Sequence, residues 1–428
     1  MKALYPLAVI ALLACTSNKP TSAESPSETP QPETSEPKKQ GGSEPDTESP
    51  RLLLAQAQFT WSEENGKRTP KPGAAKLRIL SLKGGAFQET VLEDEESRVF
   101  HKALCVDEEG FSGLLTIAAT DAHLKLWKAT DSGWEADTLW TGRFGGKFDR
   151  LRDIEIGDVD GDGSNELVIA THDQGVVVVL DRSGDGWTPT TVFEKKDTFV
   201  HEIELGDTDG DGIPEIYATP SKPNRANASQ SGSILNVRYD PKTKKYASTM
   251  VIDFEGSHAK EILVGDLAAA QRDALYAAVE ASIKPVDGKL TVDHPVALRR
   301  FDKKGESWEP RDIAEFPDGL QSRVLLLADV TKRGSDDLIV TTMKSGVWRV
   351  TPKADGSFEK EAIDKDSGGF EHAAHAADLD NDGQLELYVT SDDNDEVRRY
   401  VWDGEKFGRS VIATLEKSDL VWNITSCK

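Results

Sequence analysis

The stretch Ile156–Arg182, IGDVDGDGSNELVIATHDQGVVVVLDR, sets four acidic side chains, Asp158, Asp160, Asp162 and Glu166, within nine residues and then runs into an apolar segment of Val, Ile and Ala. Like charges so close together repel, and the chain repeats the arrangement. It recurs as LGDTDGDGIPEIYAT from Leu205 and as AADLDNDGQLELYVT from Ala376. Weaker copies are VGDLAAAQRDALYAA from Val264, LADVTKRGSDDLIVT from Leu327 and ALCVDEEGFSGLLTIAAT from Ala103, where Cys105 takes the first Asp position. The copies start at 105, 158, 207, 266, 329 and 378, in steps of 53, 49, 59, 63 and 49. That is the period of one β-propeller blade.

Between the acidic segments lie pairs of apolar stretches joined by polar turns, such as LKLWKATDSGWEADTLW from Leu124 and VVVVLDRSGDGWTPTTVF from Val176. These read as β-hairpins. There are seven of them against six acidic starts. The mismatch resolves if the final segment, SDLVWNITSCK, supplies the strand leading to a seventh start at Cys427, and RLLLAQAQFTW from Arg51 supplies the next strand of the same blade. One blade made from both ends closes a ring and removes free sheet edges. The predicted fold is all-β, a seven-bladed β-propeller over residues 51–428 with a shared closing blade. Closure places Cys105 and Cys427 at equivalent positions of neighbouring blades, where both a disulfide and two free thiols are chemically allowed.

In the acidic loop, oxygen donors fall at positions one, three, five and nine, and the residue at position seven can offer its backbone carbonyl. Calcium takes six to eight oxygens in irregular geometry. The expected ligands are Asp158, Asp160, Asp162, Ser164 and Glu166; Asp207, Asp209, Asp211, Ile213 and Glu215; and Asp378, Asp380, Asp382, Gln384 and Glu386. An EF-hand needs Glu at position twelve between helices, whereas Ile169, Ala218 and Val389 stand there inside β-branched runs. The remaining alternative is an Asp-Gly-rich hairpin without metal. In the degenerate copies Ala268 and Ala270 remove two ligands, and Thr331 and Arg333 replace acids. Those blades are expected to fold without metal, with Arg333 able to supply a fixed cation.

The Asp-x-Asp-x-Asp-Gly-x-x-Glu core resembles the calcium-binding hairpins of the FG-GAP repeat family, known from integrin α-subunit propellers and bacterial surface proteins of the VCBS type. The name-giving Phe-Gly is kept in RFGGKF around Phe144. The resemblance implies about three calcium ions, held in loops that join the inner two strands of a blade on one face of the disc.

The opposite face is where the innermost strands begin, several of them with a basic or imidazole side chain: Arg152, His201, His258 or Lys260, Arg323 and His372. These are candidate ligand-binding residues at one mouth of the central channel, with His172 on the same side. The other reading is that strand starts are solvated and often polar. Long insertions from Ser62, Pro220 and Ser282 project from this face as well. Glu155, Glu202, Glu204 and Glu261 lie on inner strands, as paired acids or as partners of nearby Arg and Lys. No Gly-x-Ser-x-Gly, His-Glu-x-x-His or phosphate loop is present.

The first fifteen residues, MKALYPLAVIALLAC, carry a lysine and a short apolar run ending at Cys15. That run is too short to span a bilayer and reads as a secretory signal. Ala14-Cys15 resembles the bacterial lipobox, which implies lipidation of Cys15. Thr16 after it implies the outer membrane rather than the inner. Residues 16–50, rich in Ser, Thr, Glu and Pro, read as an extended tether. A net charge of −24 argues against a nucleic-acid partner. The expectation is a non-enzymatic, lipid-anchored envelope protein that binds a protein or glycan ligand; the alternative is a carbohydrate-active enzyme, such as a polysaccharide lyase or sugar dehydratase, on the same propeller.

Overall fold

The computed structural model describes residues 49–427 apart from 65–66, 109, 147–148, 185, 224–229, 268–272, 287–288 and 366–372. Cys15 and the leader, nearly all of the tether, Ala268, Ala270 and His372 lie outside the described residues. Among those described, the chain forms seven four-stranded antiparallel sheets and one two-stranded hairpin, and no helix is long and apolar enough to cross a membrane.

The sheets follow one another as blades. Blade 3, for example, runs outward from Leu151–Gly157 through Glu166–Thr171 and Val176–Ser183 to Gly186–Glu194. The closing blade, blade 1, is ordered Asp419–Cys427, Arg51–Glu64, Lys67–Lys83, Ala86–Asp94, so the C-terminal strand is innermost and pairs with the N-terminal one from Arg51↔Cys427 to Gln58↔Asp419. The extra hairpin, Ser282–Val286 with Lys289–His294, is inserted between the second and third strands of blade 5.

Burial follows the sequence pattern. The second strands, such as Glu166–Thr171 and Glu386–Ser391, are buried at every position, while the outer strand Gly186–Glu194 is mostly exposed. A buried strand with sheets packed on both faces needs apolar side chains pointing both ways. Leu52 and Leu54 accordingly pack toward blade 7, while Leu53 and Ala55 pack toward blade 2. Each neighbouring pair of blades shares one such apolar cluster, which makes the core a ring of seven wedges. A disulfide joins Cys427 on the innermost strand of blade 1 to Cys105 on that of blade 2, with a Cα–Cα distance of 5.5 Å.

A β-bulge recurs at one position of the ring. The register between the two innermost strands skips at Trp422 in blade 1, His101 in blade 2, Arg152 in blade 3, His201 and Glu202 in blade 4, Lys260 in blade 5 and Arg323 in blade 6. An extra residue in one strand has no partner opposite it, so its side chain is re-aimed. These bulges decide what faces the channel.

Candidate functional site

On one face, three acidic loops join innermost to second strands. Asp158, Asp160 and Glu166 in blade 3 place carboxylate oxygens within 4.8 Å of one another, as do Asp207, Asp209 and Glu215 in blade 4, and Asp378, Asp380, Asp382 and Glu386 in blade 7. The first Asp organises each turn. Asp158 accepts N–H bonds from Gly161, Asp162 and Gly163 at 2.7, 3.1 and 3.0 Å, and Asp207 repeats this with Gly210, Asp211 and Gly212. Gly163 and Gly212 sit at φ of 93° and 89°, a conformation that favours glycine. The ninth-position acid is buried at the base, where Glu166 accepts the Val159 N–H at 2.9 Å. Asp162 and Asp211 stand outside the tight sets, with their carboxylates on the N–H of Ser164 and Ile213. Gln384 turns its side chain to the Trp402 carbonyl at 2.9 Å.

The three loops differ in their counter-charges. In blade 4, Arg238 binds Asp209 and lies 3.5 Å from Glu215, and Lys303 from blade 5 reaches Glu215 at 3.3 Å. In blade 7, Arg399 contacts Asp380 and Glu386, each at 2.5 Å. In blade 3 no Lys or Arg among the described residues pairs with the cluster, and burial together with the neighbouring aspartates pushes Glu166 up to about 7. The set of hard oxygen donors suits calcium. In the degenerate loop of blade 6, Arg333 donates to buried Asp337 at 2.5 Å, a cation standing where the intact loops have an acid.

The channel opens on the other face. A cavity of about 320 Å³ is lined by inner-strand residues from all seven blades. Trp422, His101, Arg152 and Arg323 stand near the mouth, the Arg152 guanidinium lying 5.8 Å from the centre of the Trp422 ring. Deeper, strand alternation turns Asp153 and Glu155, Glu202 and Glu204, and Glu261 and Leu263 inward. Lys102 binds Asp153 at 2.9 Å and also Glu155. Asp153 additionally accepts the Ile203 N–H at 2.8 Å, which links blades 3 and 4. Arg323 pairs with Glu280 at 2.6 Å. The carboxylates of Glu202, Glu204 and Glu261 make no hydrogen bond or ion pair among the described residues, and desolvation followed by neighbouring carboxylates holds Glu202 and Glu204 well above the usual range. Glu261 is pushed up to about 8 mainly by burial, against the pull of Arg152 and Arg323.

Of the expected mouth residues, Arg152 and Arg323 line the cavity. His201 is instead buried behind it, 5.2 Å from His172 between ring centres, and His258 is buried with its Nε2 3.4 Å from Gln230. Burial, and then the surrounding cations, keep His101, His172 and His201 neutral. In blade 5 the bulge falls on Lys260, and the strand lines the cavity with Glu261 and Leu263 rather than with His258 or Lys260. His101 and Trp422, which sequence reasoning missed, are bulge residues. The signal that could have found them is their place in the blade period, shortly before the acidic starts: 105 − 101 = 4 residues for His101 and 427 − 422 = 5 for Trp422, against 158 − 152 = 6 for Arg152.

Residues 158–218 and 329–389 each match the FG-GAP-like repeat. No curated relative matches the chain. Solved structures of similar fold include a protein from Lactobacillus plantarum (10% identity, TM-score 0.57, covering 89% of this chain and 100% of that one) and a putative 6-phosphogluconolactonase from Bacteroides uniformis (12%, 0.54, 89% and 100%). The periplasmic gluconolactonase of Pseudomonas aeruginosa is similar at 13% identity and a TM-score of 0.51, covering 88% and 99%. At such identity the likeness is one of fold. The chain is a seven-bladed β-propeller carrying FG-GAP-like repeats.

Proposed function

We propose that the protein is a calcium-stiffened propeller, held at the bacterial cell envelope through a lipid on Cys15 and the tether, that binds a protein or glycan ligand at the channel mouth opposite the acidic loops. The observation that carries this reading is the cavity lined by all seven blades, with Arg152, Trp422 and unpaired carboxylates on its wall. Concave sites with a few convergent polar groups are the usual places for ligands. Calcium binding is supported by the three oxygen clusters and the FG-GAP-like repeats. The ion cancels the repulsion among the loop carboxylates and fixes the turn that feeds each second strand.

The test is calcium-dependent thermal unfolding of the full chain against chelator, followed by glycan-array binding and capture from solubilised envelope. Calcium is expected to raise the Tm, with stepwise loss in Asp160→Ala, Asp209→Ala and Asp380→Ala. Ligand capture is expected to fail in Arg152→Ala with Trp422→Ala. Capture that survives those changes refutes the mouth as the site, and an unshifted Tm refutes calcium.

A second reading, a carbohydrate-active enzyme, draws on Glu261 at about 8 in the cavity, since an acid held near neutral pH suits general acid–base chemistry. The lactonase names of two similar structures add a substrate class to try. Turnover of gluconolactone above the spontaneous rate, abolished in Glu261→Gln and Glu202→Gln, would establish it.

A further inference from the structure

We propose that the channel binds a protonated primary amine among Glu202, Glu204 and Glu261, an inference that rests on the channel-mouth reading above and names the charged group of the ligand. Five carboxylates line the cavity, Asp153, Glu155, Glu202, Glu204 and Glu261, against the cations Lys102, Arg152 and Arg323. Two of the cations are committed elsewhere, Lys102 to Asp153 and Glu155 and Arg323 to Glu280, while Arg152 lies over Trp422. Three carboxylates therefore face the cavity without a bonded counter-charge. Glu261 is the sharpest of them: it is only 8% exposed, lines the cavity and has no partner among the described residues. Burying an acid in this way is costly unless something pairs with it.

The geometry separates an amine from a metal. Groups of three or more ligand atoms within 4.8 Å of one another occur, among the described residues, only in the acidic loops and not in the channel. A calcium ion needs its oxygens at about 2.3 to 2.6 Å, so dispersed carboxylates serve it badly. An ammonium can pair with one carboxylate and leave its other donors to water, so it does not need three converging carboxylates. Its carbon body also finds an apolar wall, because Leu263, Leu325, Ala374 and Ile424 line the same cavity. The amine can come from an alkyl chain or from an amino sugar.

The test is calorimetric titration of the calcium-loaded full chain, at physiological salt, with cadaverine and glucosamine as the two amine sources. N-acetylglucosamine and glucose are the uncharged counterparts. At least one amine is expected to bind at least tenfold more tightly than the uncharged sugars. That preference should fall tenfold or more in Glu261→Gln and in Glu202→Gln, and stay unchanged in Asp137→Asn on the exposed outer strand of blade 2. Both channel changes replace an acid without a bonded counter-charge by an amide of nearly the same shape, so the variants are expected to fold, and circular-dichroism melting checks that they do. Cadaverine alone binding assigns an alkyl amine, and glucosamine alone an amino sugar. Glucose or N-acetylglucosamine binding as tightly as glucosamine overturns the amine while leaving the channel as a ligand site. Amine binding indifferent to both glutamate variants overturns the placement, and binding of no probe removes the support for the channel-mouth reading itself.

Discussion

Breaking the Cys105–Cys427 bond should destabilise the ring by an amount set by the length of chain it closes. The two residues are separated by 322 positions. In the chain-entropy account, a cross-link over about 320 residues removes roughly 19 cal/mol/K from the unfolded ensemble, or about 6 kcal/mol at 25 °C. Unfolding entropy near the midpoint is about 2.1 cal/mol/K per residue, so a ring of about 380 residues has a slope near 0.8 kcal/mol/K and the loss corresponds to about 7 °C in Tm. Other contacts of the closure remain after the bond is cut: the pairing of Arg51–Glu64 with Asp419–Cys427, the Lys76–Asp419 ion pair at 2.7 Å, and the Thr425 hydroxyl on the Ala103 carbonyl at 2.7 Å. The folded ring is therefore expected to survive. The assay is scanning calorimetry of Cys105→Ala, Cys427→Ala and the double variant. Either single change already breaks the bond, so each single variant and the double should lose nearly the same amount, apart from a small packing difference at buried Cys427. Additive losses, or a Tm within one degree of the parent, would show that the bond does not restrain the unfolded chain and would refute the closure account.

In blade 7, Arg399→Ala strips Glu386 and Asp380 of their cation; the calcium-free protein should lose about 1–3 kcal/mol while the calcium-induced rise in Tm grows, and a rise unchanged from the parent would mean that arginine and metal do not compete. In blade 3, calcium needs Glu166 ionised, and burial holds that acid at about 7, so calcium affinity at this loop should climb as pH rises from 6 to 8; a flat affinity measured with Asp209→Ala and Asp380→Ala in the background counts against it. In the channel, Glu261 is higher folded, at about 8, than its ordinary 4.5, so its contribution to stability is intact below pH 4.5 and is lost as pH rises through 8; Glu261→Gln should gain roughly 2–4 kcal/mol over the parent at pH 9 and little at pH 4, as read from denaturant midpoints.

The ring was legible because its signals are local and repeated. An acidic turn followed by a fully apolar strand recurs at blade spacing, and the surplus hairpin could only be completed by pairing the two ends, which is how Arg51–Glu64 and Asp419–Cys427 lie. The loop clusters were legible for the same reason, since carboxylates at positions one, three and nine belong to one turn and need no distant partner to be brought together. What the spacing could not convey was who else reaches the loops. Arg238 and Arg399 come from third strands of their own blades and Lys303 from the blade next door, and strand register decides whether a side chain two strands away points at the cluster or away from it. The channel mouth was half legible. Strand starts were the right place to look, but only some of those side chains reach the cavity: Arg152 and Arg323 line it, while His258 stays buried beside Gln230 and His201 turns into the blade interface beside His172.

Comparing the blades with one another separates scaffold from recognition. At the loop positions, blades 3, 4 and 7 repeat the same chemistry, Asp at one and three and Glu at nine, as expected where each copy has the same task of fixing a turn. At the bulge position the geometry repeats but the chemistry does not: Trp422, His101, Arg152, Lys260 and Arg323 occupy equivalent places in successive or neighbouring blades. If the bulge served only to curve the strand, small or uniformly solvated residues would suffice at all of them. A ring of unlike, bulky and mostly charged side chains, set above acids such as Glu202 and Glu261 whose carboxylates form no ion pair among the described residues, instead gives an asymmetric surface around a symmetric axis. Under the proposed ligand-binding role, asymmetry of that kind would hold one ligand in one orientation, and recognition would lie in the bulges rather than in the loops that define the repeat.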